Sequence, residues 1–334
     1  MASFDADLLV LGAGPAGLSA AQYGARAGLK TLVLEQMAPG GQALNIGVLE
    51  NYPGNVIRGD LPPRTGFEFS SDLHKQAEAF GAVFIMEAAL RVERTGSDTP
   101  YPGFAVTLAG GRTIRSPALI LASGAVRRRL EIPGEEELYG RGVSYCAACD
   151  GPFFKGKRML VAGGGDSACD EAQYLSRLSG RILLVHRKSM FRAQKSLAER
   201  VLANPGIEVR FNTRLLEIKG QSRVTSVVLK GPPARPGLTG AAPAAVYEEE
   251  ADAVFIFAGA LPQSALARDL GIKLDEAGYV ITDQTMASSE AGFFAAGDVR
   301  SGPFRQVVVA AGEGAVAAHC AAAYVDGLRG VRYH

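Results

Sequence analysis

Cys146 and Cys149 stand two residues apart in the run Cys146-Ala147-Ala148-Cys149, and Asp150 follows at once. Two thiols at this spacing can close a small redox disulfide and exchange it with another. A pair at a helix start also gains thiolate character from the helix dipole. Asp150 can pass a proton to a departing thiolate, a role compatible with capping that helix. Zinc is the competing chemistry, but a structural zinc site needs four ligands. Cys169 lies alone in a helical segment and Cys320 has only His319 beside it. No metal is expected, and both read as small packing residues.

A glycine-rich loop lies on each side of the pair. The apolar run Asp7–Gly12 has the length of a buried parallel strand and opens into Gly12-Ala13-Gly14-Pro15-Ala16-Gly17. An alanine-rich helix to about Gly28 and a strand over Thr31–Glu35 follow. This is the dinucleotide fingerprint: one glycine for the tight turn, one for the pyrophosphate's approach, one for helix–strand packing. Glu35, with Gln36 beside it, falls about 20 residues on, where a carboxylate accepts ribose hydroxyls.

The pattern returns when Lys157–Ala162 leads into Gly163-Gly164-Gly165-Asp166-Ser167-Ala168, a helix to about Leu178 and a strand over Arg181–His186. Ala168 takes the third glycine's place. Here the strand ends on His186, followed by Arg187, Lys188 and Arg192. Cations in place of the carboxylate are the signature of a ribose 2′-phosphate, hence NADP(H). The first loop is then left for a different dinucleotide, with FAD the candidate. Gly41 and Gln42, and Asn51 within Glu50–Gly54, offer amides to a flavin ring. Gly297 and Asp298 end a strand where a carboxylate can accept a ribityl hydroxyl. Arg305, Gln306 and Val307 open the last helix, whose positive end stabilises charge on the flavin.

The elements that must position these groups define the fold class: α/β, with two Rossmann-like three-layer dinucleotide-binding domains, the second inserted in the first, and small β-meanders. The meanders are expected over Val83–Ile120 and Gly206–Glu250, with turns such as Gly110-Gly111. Phe255–Gly259 and Gly292–Asp298 read as strands returning to the first domain. The boundaries drawn are 1–127 and 251–334 for the outer domain and 128–250 for the insert that carries the dithiol. With 334 residues, 47% hydrophobic, 21% charged and a net charge of +1, the chain suits two ordinary domains and shows no footprint for nucleic acid or an acidic membrane. The acidic Met1–Asp7 segment is no signal peptide, and no stretch reads as a membrane helix of about 20 apolar residues. Four scattered cysteines fit a reducing cytoplasm.

Taken together, these residues resemble the low-molecular-weight thioredoxin reductase family. The matching pieces are Gly12–Gly17, Gly40–Gln42, Glu50–Gly54, Cys146–Gly151, Gly163–Ala168, His186–Ala193, Ala295–Val299 and Arg305-Gln306, spanning nearly the whole chain. In glutathione-reductase-like flavoproteins the cysteines follow the FAD loop, and residues 36–60 here contain none. The resemblance implies a homodimeric enzyme in which the inserted domain rotates. It implies electron flow from NADPH through FAD and the Cys146–Cys149 disulfide to thioredoxin. Two departures open an alternative. Lys188 replaces an arginine, and Asp166 stands where asparagine is usual, placing a negative charge near the cofactor phosphates. With the aromatic Tyr333-His334 tail, these suggest ferredoxin or another carrier as donor. A non-catalytic flavoprotein redox sensor is the alternative from another class, and the intact dithiol argues against it.

Overall fold

The computed structural model describes residues 3–46, 49, 52–54, 64–96, 99–232 and 244–331, without the side chains of Ala148 and Cys149. The chain divides into two compact units: residues 1–126 with 261–334, and residues 127–260.

Before the insertion the strands are β1 Leu8–Leu11, β2 Thr31–Leu34, β3 Val83–Ile85, β4 Ala89–Arg94, β5 Phe104–Leu108, β6 Thr113–Ser116, β7 Ala118–Leu121 and β8 Ala125–Arg127. The inserted unit runs through β9 Val143–Ser144, β10 Met159–Gly163, β11 Ile182–Val185, β12 Ile207–Arg210, β13 Arg214–Gly220, β14 Val224–Gly231, β15 Ala245–Glu250 and β16 Ala253–Phe257. The chain returns through β17 Ala260–Pro262, which pairs with β8 as a two-stranded sheet, and β18 Phe293–Ala295. The helices are α1 Pro15–Arg26, α2 Gly66–Ala79, α3 Ala147–Asp150, α4 Asp166–Ser176, α5 Lys195–Ala203, α6 Ala265–Asp269 and α7 Val307–Leu328.

The outer unit is built on a parallel sheet ordered β18-β7-β1-β2-β3. β1 and β7 are buried along their whole length, as apolar runs covered on both faces must be. The inserted unit repeats the plan as β12-β11-β10-β16-β9, again parallel throughout. Each unit adds a three-stranded antiparallel sheet, β4-β5-β6 or β13-β14-β15. The buried Arg210 of β12 ties the second of these down, donating from Nη2 to Glu249 of β15 at 2.8 Å and from Nε to Glu208 at 2.6 Å.

Three expectations are corrected. β16 pairs with β10 and β9, so the second crossing falls at 260/261 and not at 250/251. A strand buried on both faces announces its burial but not its sheet. The presumed meanders also shrink, because β3, β7 and β12 belong to the parallel sheets. Finally, α7 is long and apolar enough, by length and composition, to cross a membrane. In this fold its alanines pack in the outer unit's core with those of α1.

That packing is close because it is made of small residues. A β-carbon at Gly314 of α7 would lie 2.0 Å from the Ala16 carbonyl oxygen of α1. Backbone cannot move aside as a flexible side chain can. Gly314→Ala is expected to destabilise the protein by about 2 kcal/mol, read as a lower urea midpoint, with the far-UV circular dichroism of the native state retained.

Candidate redox and dinucleotide sites

All five strands of each parallel sheet end on one edge, where open α/β folds bind ligands. In the outer unit this edge carries the β1–α1 turn. A β-carbon at Gly12 (φ +101°) would lie 2.5 Å from the Ala122 carbonyl oxygen, and one at Gly17 would lie 1.8 Å from that of Gly12. At Gly14 a β-carbon would meet nothing within 4 Å. Packing thus demands the outer two glycines, while the middle one keeps an open face. Gly14 caps α1 without a side-chain bond, and Pro15 opens the helix with Ala16 buried behind it. The first-turn amides are left for an anion. Glu35 closes β2 by accepting Ala13 N–H and Met37 N–H, both at 2.9 Å, and Gln36 beside it is exposed. Each Glu35 oxygen keeps a lone pair for a ribose hydroxyl.

The segment after β2 folds back over this turn, with Gly40 N–H donating to the Ala13 carbonyl at 2.7 Å. Gly41 (φ +54°) approaches so closely that its β-carbon would sit 3.1 Å from the Cα of Gly14. Gln42 donates its side-chain amide to the Ala125 carbonyl. Glu50, Asn51 and the tail residues Tyr333 and His334 lie outside the described residues.

At the end of β18, Gly297 (φ +76°) donates its N–H to Glu313 at 2.8 Å. Glu313 also pairs with Arg300, whose Nε reaches Thr282 Oγ1 at 2.8 Å. Burial pushes the Asp298 carboxyl up, Arg305 pulls it back and the Glu313 charge adds to the rise. Arg305 stacks over the Tyr279 ring at 3.9 Å. Gln306 is the N-cap of α7 and Val307 its first residue. Gly297, Asp298, Arg300, Arg305 and Glu313 line one small cavity with Phe304 and Ala310. An open glycine face, free first-turn amides and a half-buried carboxyl beside an arginine suit a flavin dinucleotide. Glu313, which the sequence did not single out, organises the strand end from 16 residues away.

The inserted unit repeats the arrangement. A β-carbon at Gly163 would sit 2.6 Å from that of Ala168, so the alanine fills the space the third glycine would leave. Gly165 has nothing within 4 Å. The imidazole of His186 lies against Gly164, where a β-carbon would fall 2.2 Å from its Nδ1. Burial holds the His186 pKa below the ordinary imidazole value, and Arg192, Arg187 and Lys188 lower it further. Its Nε2 is buried with no hydrogen-bond partner among the described residues. Arg187, Lys188, Arg192 and Ser167 are exposed, and no described carboxylate forms an ion pair with the three cations. Unpaired cations and an orphaned imidazole nitrogen beside an open glycine face fit a phosphorylated nucleotide.

The dithiol shares this edge. β9 is the edge strand beside β16, and Cys146 follows it by two residues. One strand, β16, separates it from β10 and the glycine loop, a lateral offset of about 10 Å. Cys146 is disulfide-bonded, whereas Cys169 and Cys320 are free thiols. Burial pushes the Cys169 thiol up to about 12 and raises that of Cys320, as expected of packing residues. The side chain of Cys149 lies outside the described residues.

α3 is a single turn that Asp150 ends, and Asp150 is also the N-cap of the 3₁₀ turn Gly151–Phe154 that follows, without a side-chain capping bond. A buried serine missed by sequence reasoning takes charge of both groups. Ser144 Oγ donates to Asp150 Oδ2 at 2.5 Å and accepts the Cys146 N–H at 3.0 Å. Behind it, Tyr145 donates to the buried Glu135 at 2.6 Å, and Glu135 also accepts the Leu130 N–H at 2.9 Å. The Asp166 carboxylate, at the start of α4, accepts the Gln194 N–H at 2.7 Å.

Two duplicated dinucleotide folds with a cystine on the second sheet's edge define a disulfide-handling, nucleotide-dependent class of protein. The family model for pyridine nucleotide-disulphide oxidoreductases matches residues 6–314. The thioredoxin reductase of Treponema pallidum is 47% identical over 325 residues, covering 97% of this chain and 99% of that protein. The crystal structure of Lactococcus lactis thioredoxin reductase in an FR conformation aligns with a TM-score of 0.82 at 38% identity, covering 97% of this chain and all of that one. That of the T. acidophilum enzyme aligns at 0.79 and 30% identity, covering 96% and 98%. The chain belongs to the pyridine nucleotide-disulphide oxidoreductases and, within them, to the low-molecular-weight thioredoxin reductase family. It is accordingly an oxidoreductase that uses FAD and NADPH.

Removing the Ser144 hydroxyl strands the Cys146 N–H and frees Asp150. Ser144→Ala is expected to cost about 1–2 kcal/mol, measured by urea unfolding of the oxidised protein.

Proposed function

We propose that this chain reduces thioredoxin with electrons from NADPH, the outer unit holding FAD and the inserted unit holding NADPH and the exchanging pair Cys146–Cys149. The observation that carries this reading is a disulfide-bonded Cys146 on the sheet edge that also bears the glycine loop and its unpaired cations. Gly12, Gly14 and Gly17 would admit the FAD pyrophosphate to the α1 amides, and Glu35 would take the ribose. Gly41, Gln42, Asp298 and the α7 start at Gln306 and Val307 would face the remainder of the cofactor. Gly163, Gly165 and Ala168 would do the same for NADPH, with Arg187, Lys188 and Arg192 on its 2′-phosphate.

Bound FAD supplies a two-electron carrier between nicotinamide and disulfide. The chain's own groups perform the exchange. One thiolate of the reduced pair attacks the substrate disulfide and forms a mixed disulfide. The second then attacks that bond, closing the enzyme disulfide and releasing the substrate as a dithiol. Asp150, held by Ser144, supplies the proton for the departing sulfur. Homodimeric assembly, implied by the resemblance, and a cytoplasmic location, read from four scattered cysteines, complete the proposal. Ferredoxin or another carrier, suggested by Asp166, Lys188 and the Tyr333-His334 tail, is the alternative donor, and a flavin unmoved by NADPH would favour it.

Anaerobic NADPH is expected to bleach the flavin band of the purified protein, and oxidised thioredoxin to restore it. Cys146→Ser and Cys149→Ser should each keep the bleaching and abolish thioredoxin turnover. Turnover surviving in either variant, or a flavin unmoved by NADPH, would overturn the proposal.

A further inference from the structure

We propose that Asp166 is a positioning residue for nucleotide specificity: it tethers the basic loop that reads the 2′-phosphate. The inference rests on the reading of Arg187, Lys188 and Arg192 just given. The loop leaves β11 at His186 and ends at Gln194, before α5. At its start the Thr213 N–H donates to the His186 carbonyl and the Asn212 N–H to the Lys188 carbonyl, both at 3.0 Å. At its end the Arg192 N–H donates to the Gly164 carbonyl at 2.7 Å. The Gln194 N–H donates to Asp166 Oδ1 at 2.7 Å, and Gln194 Nε2 reaches Asp166 Oδ2 at 3.4 Å.

Both end tethers therefore run to residues flanking Gly165, the glycine with the open face. Of the four, only the bond to Asp166 uses a side chain as acceptor. Asp166 is also the first residue of α4, where the helix amides favour an anion. A carboxylate that would oppose the phosphates by charge alone is thus committed to the loop that carries the cations. Without it the loop keeps its sequence and its charge but loses a fixed end. Long cationic side chains on a loosened loop lose more entropy on binding a phosphate. The penalty falls on the 2′-phosphate and spares the rest of the nucleotide.

The test uses the oxidised FAD-containing enzyme and calorimetric titration with 2′,5′-ADP and 5′-AMP, which differ only in the 2′-phosphate. Asp166→Ala is expected to weaken 2′,5′-ADP about fivefold and leave 5′-AMP within about twofold. Asp166→Asn retains the Oδ1 acceptor and is expected to keep the parent's preference. Equal weakening of both probes by the alanine variant, unchanged binding, or tighter 2′,5′-ADP binding would overturn the tether. Loss of preference in the asparagine variant would overturn it as well. A double variant, Arg187→Ala with Arg192→Ala, separates the two readings. If it leaves 2′,5′-ADP unaffected, the basic loop is not the phosphate site. If it weakens that probe while Asp166→Ala does not, the loop reading stands and the tether falls.

Discussion

Backbone oxygen atoms set the shape of the first nucleotide loop, and in the second they share the task with the side chains of Ala168 and His186. The carbonyls of Ala122 and Gly12 occupy the space that β-carbons at Gly12 and Gly17 would need, and the Phe257 carbonyl lies 2.6 Å from one at Gly163. These contacts seat the first turn of α1 and of α4 directly on the strand ends. The helix amides then face outward over Gly14 and Gly165, where nothing intervenes. Every other feature of the two sites is arranged around this approach. Glu35 is tied to Ala13, Gly40 folds back onto Ala13, and His186 stacks on Gly164.

The dithiol depends on a different economy. β9 is only two residues long and sits at a sheet edge, a position with few partners of its own. Fixed geometry there comes from polar bonds: Ser144 joins the Cys146 backbone to Asp150, and Glu135 joins Tyr145 to the segment around Leu130. A serine hydroxyl can donate and accept at once, so one group here serves both Asp150 and the Cys146 backbone. Its second acceptor within reach is the Cys146 carbonyl, at 3.2 Å. The arrangement holds the Asp150 carboxyl in register with the Cys146 backbone.

Much of this was legible in the residues alone. The duplicated strand–glycine–helix pattern locates both loops, since local chain geometry restricts glycine use to a few positions. The contrast between Glu35 and the cations after His186 separates the two nucleotides by charge. What stayed hidden is what depends on pairing across long separations. β16 reads like any buried strand, and only its neighbours β10 and β9 assign it to the inserted unit. Ser144, Glu135 and Glu313 are ordinary polar residues until the fold brings their partners near. Asp166 is legible only in part for the same reason: its charge is visible in the sequence, and Gln194, 28 residues on, is not an evident partner.

The order of strands along the chain also dictates an order of assembly. The inserted sheet is complete once β16 emerges at Phe257, whereas the outer sheet still awaits β18 and the outer core still awaits α7. During synthesis the insert can close while β7 presents an unmatched edge to the solvent, and α7, emerging later, seals the alanine-lined seam with α1. A polypeptide cut short before β18 would therefore contain a finished nucleotide module attached to an unfinished one.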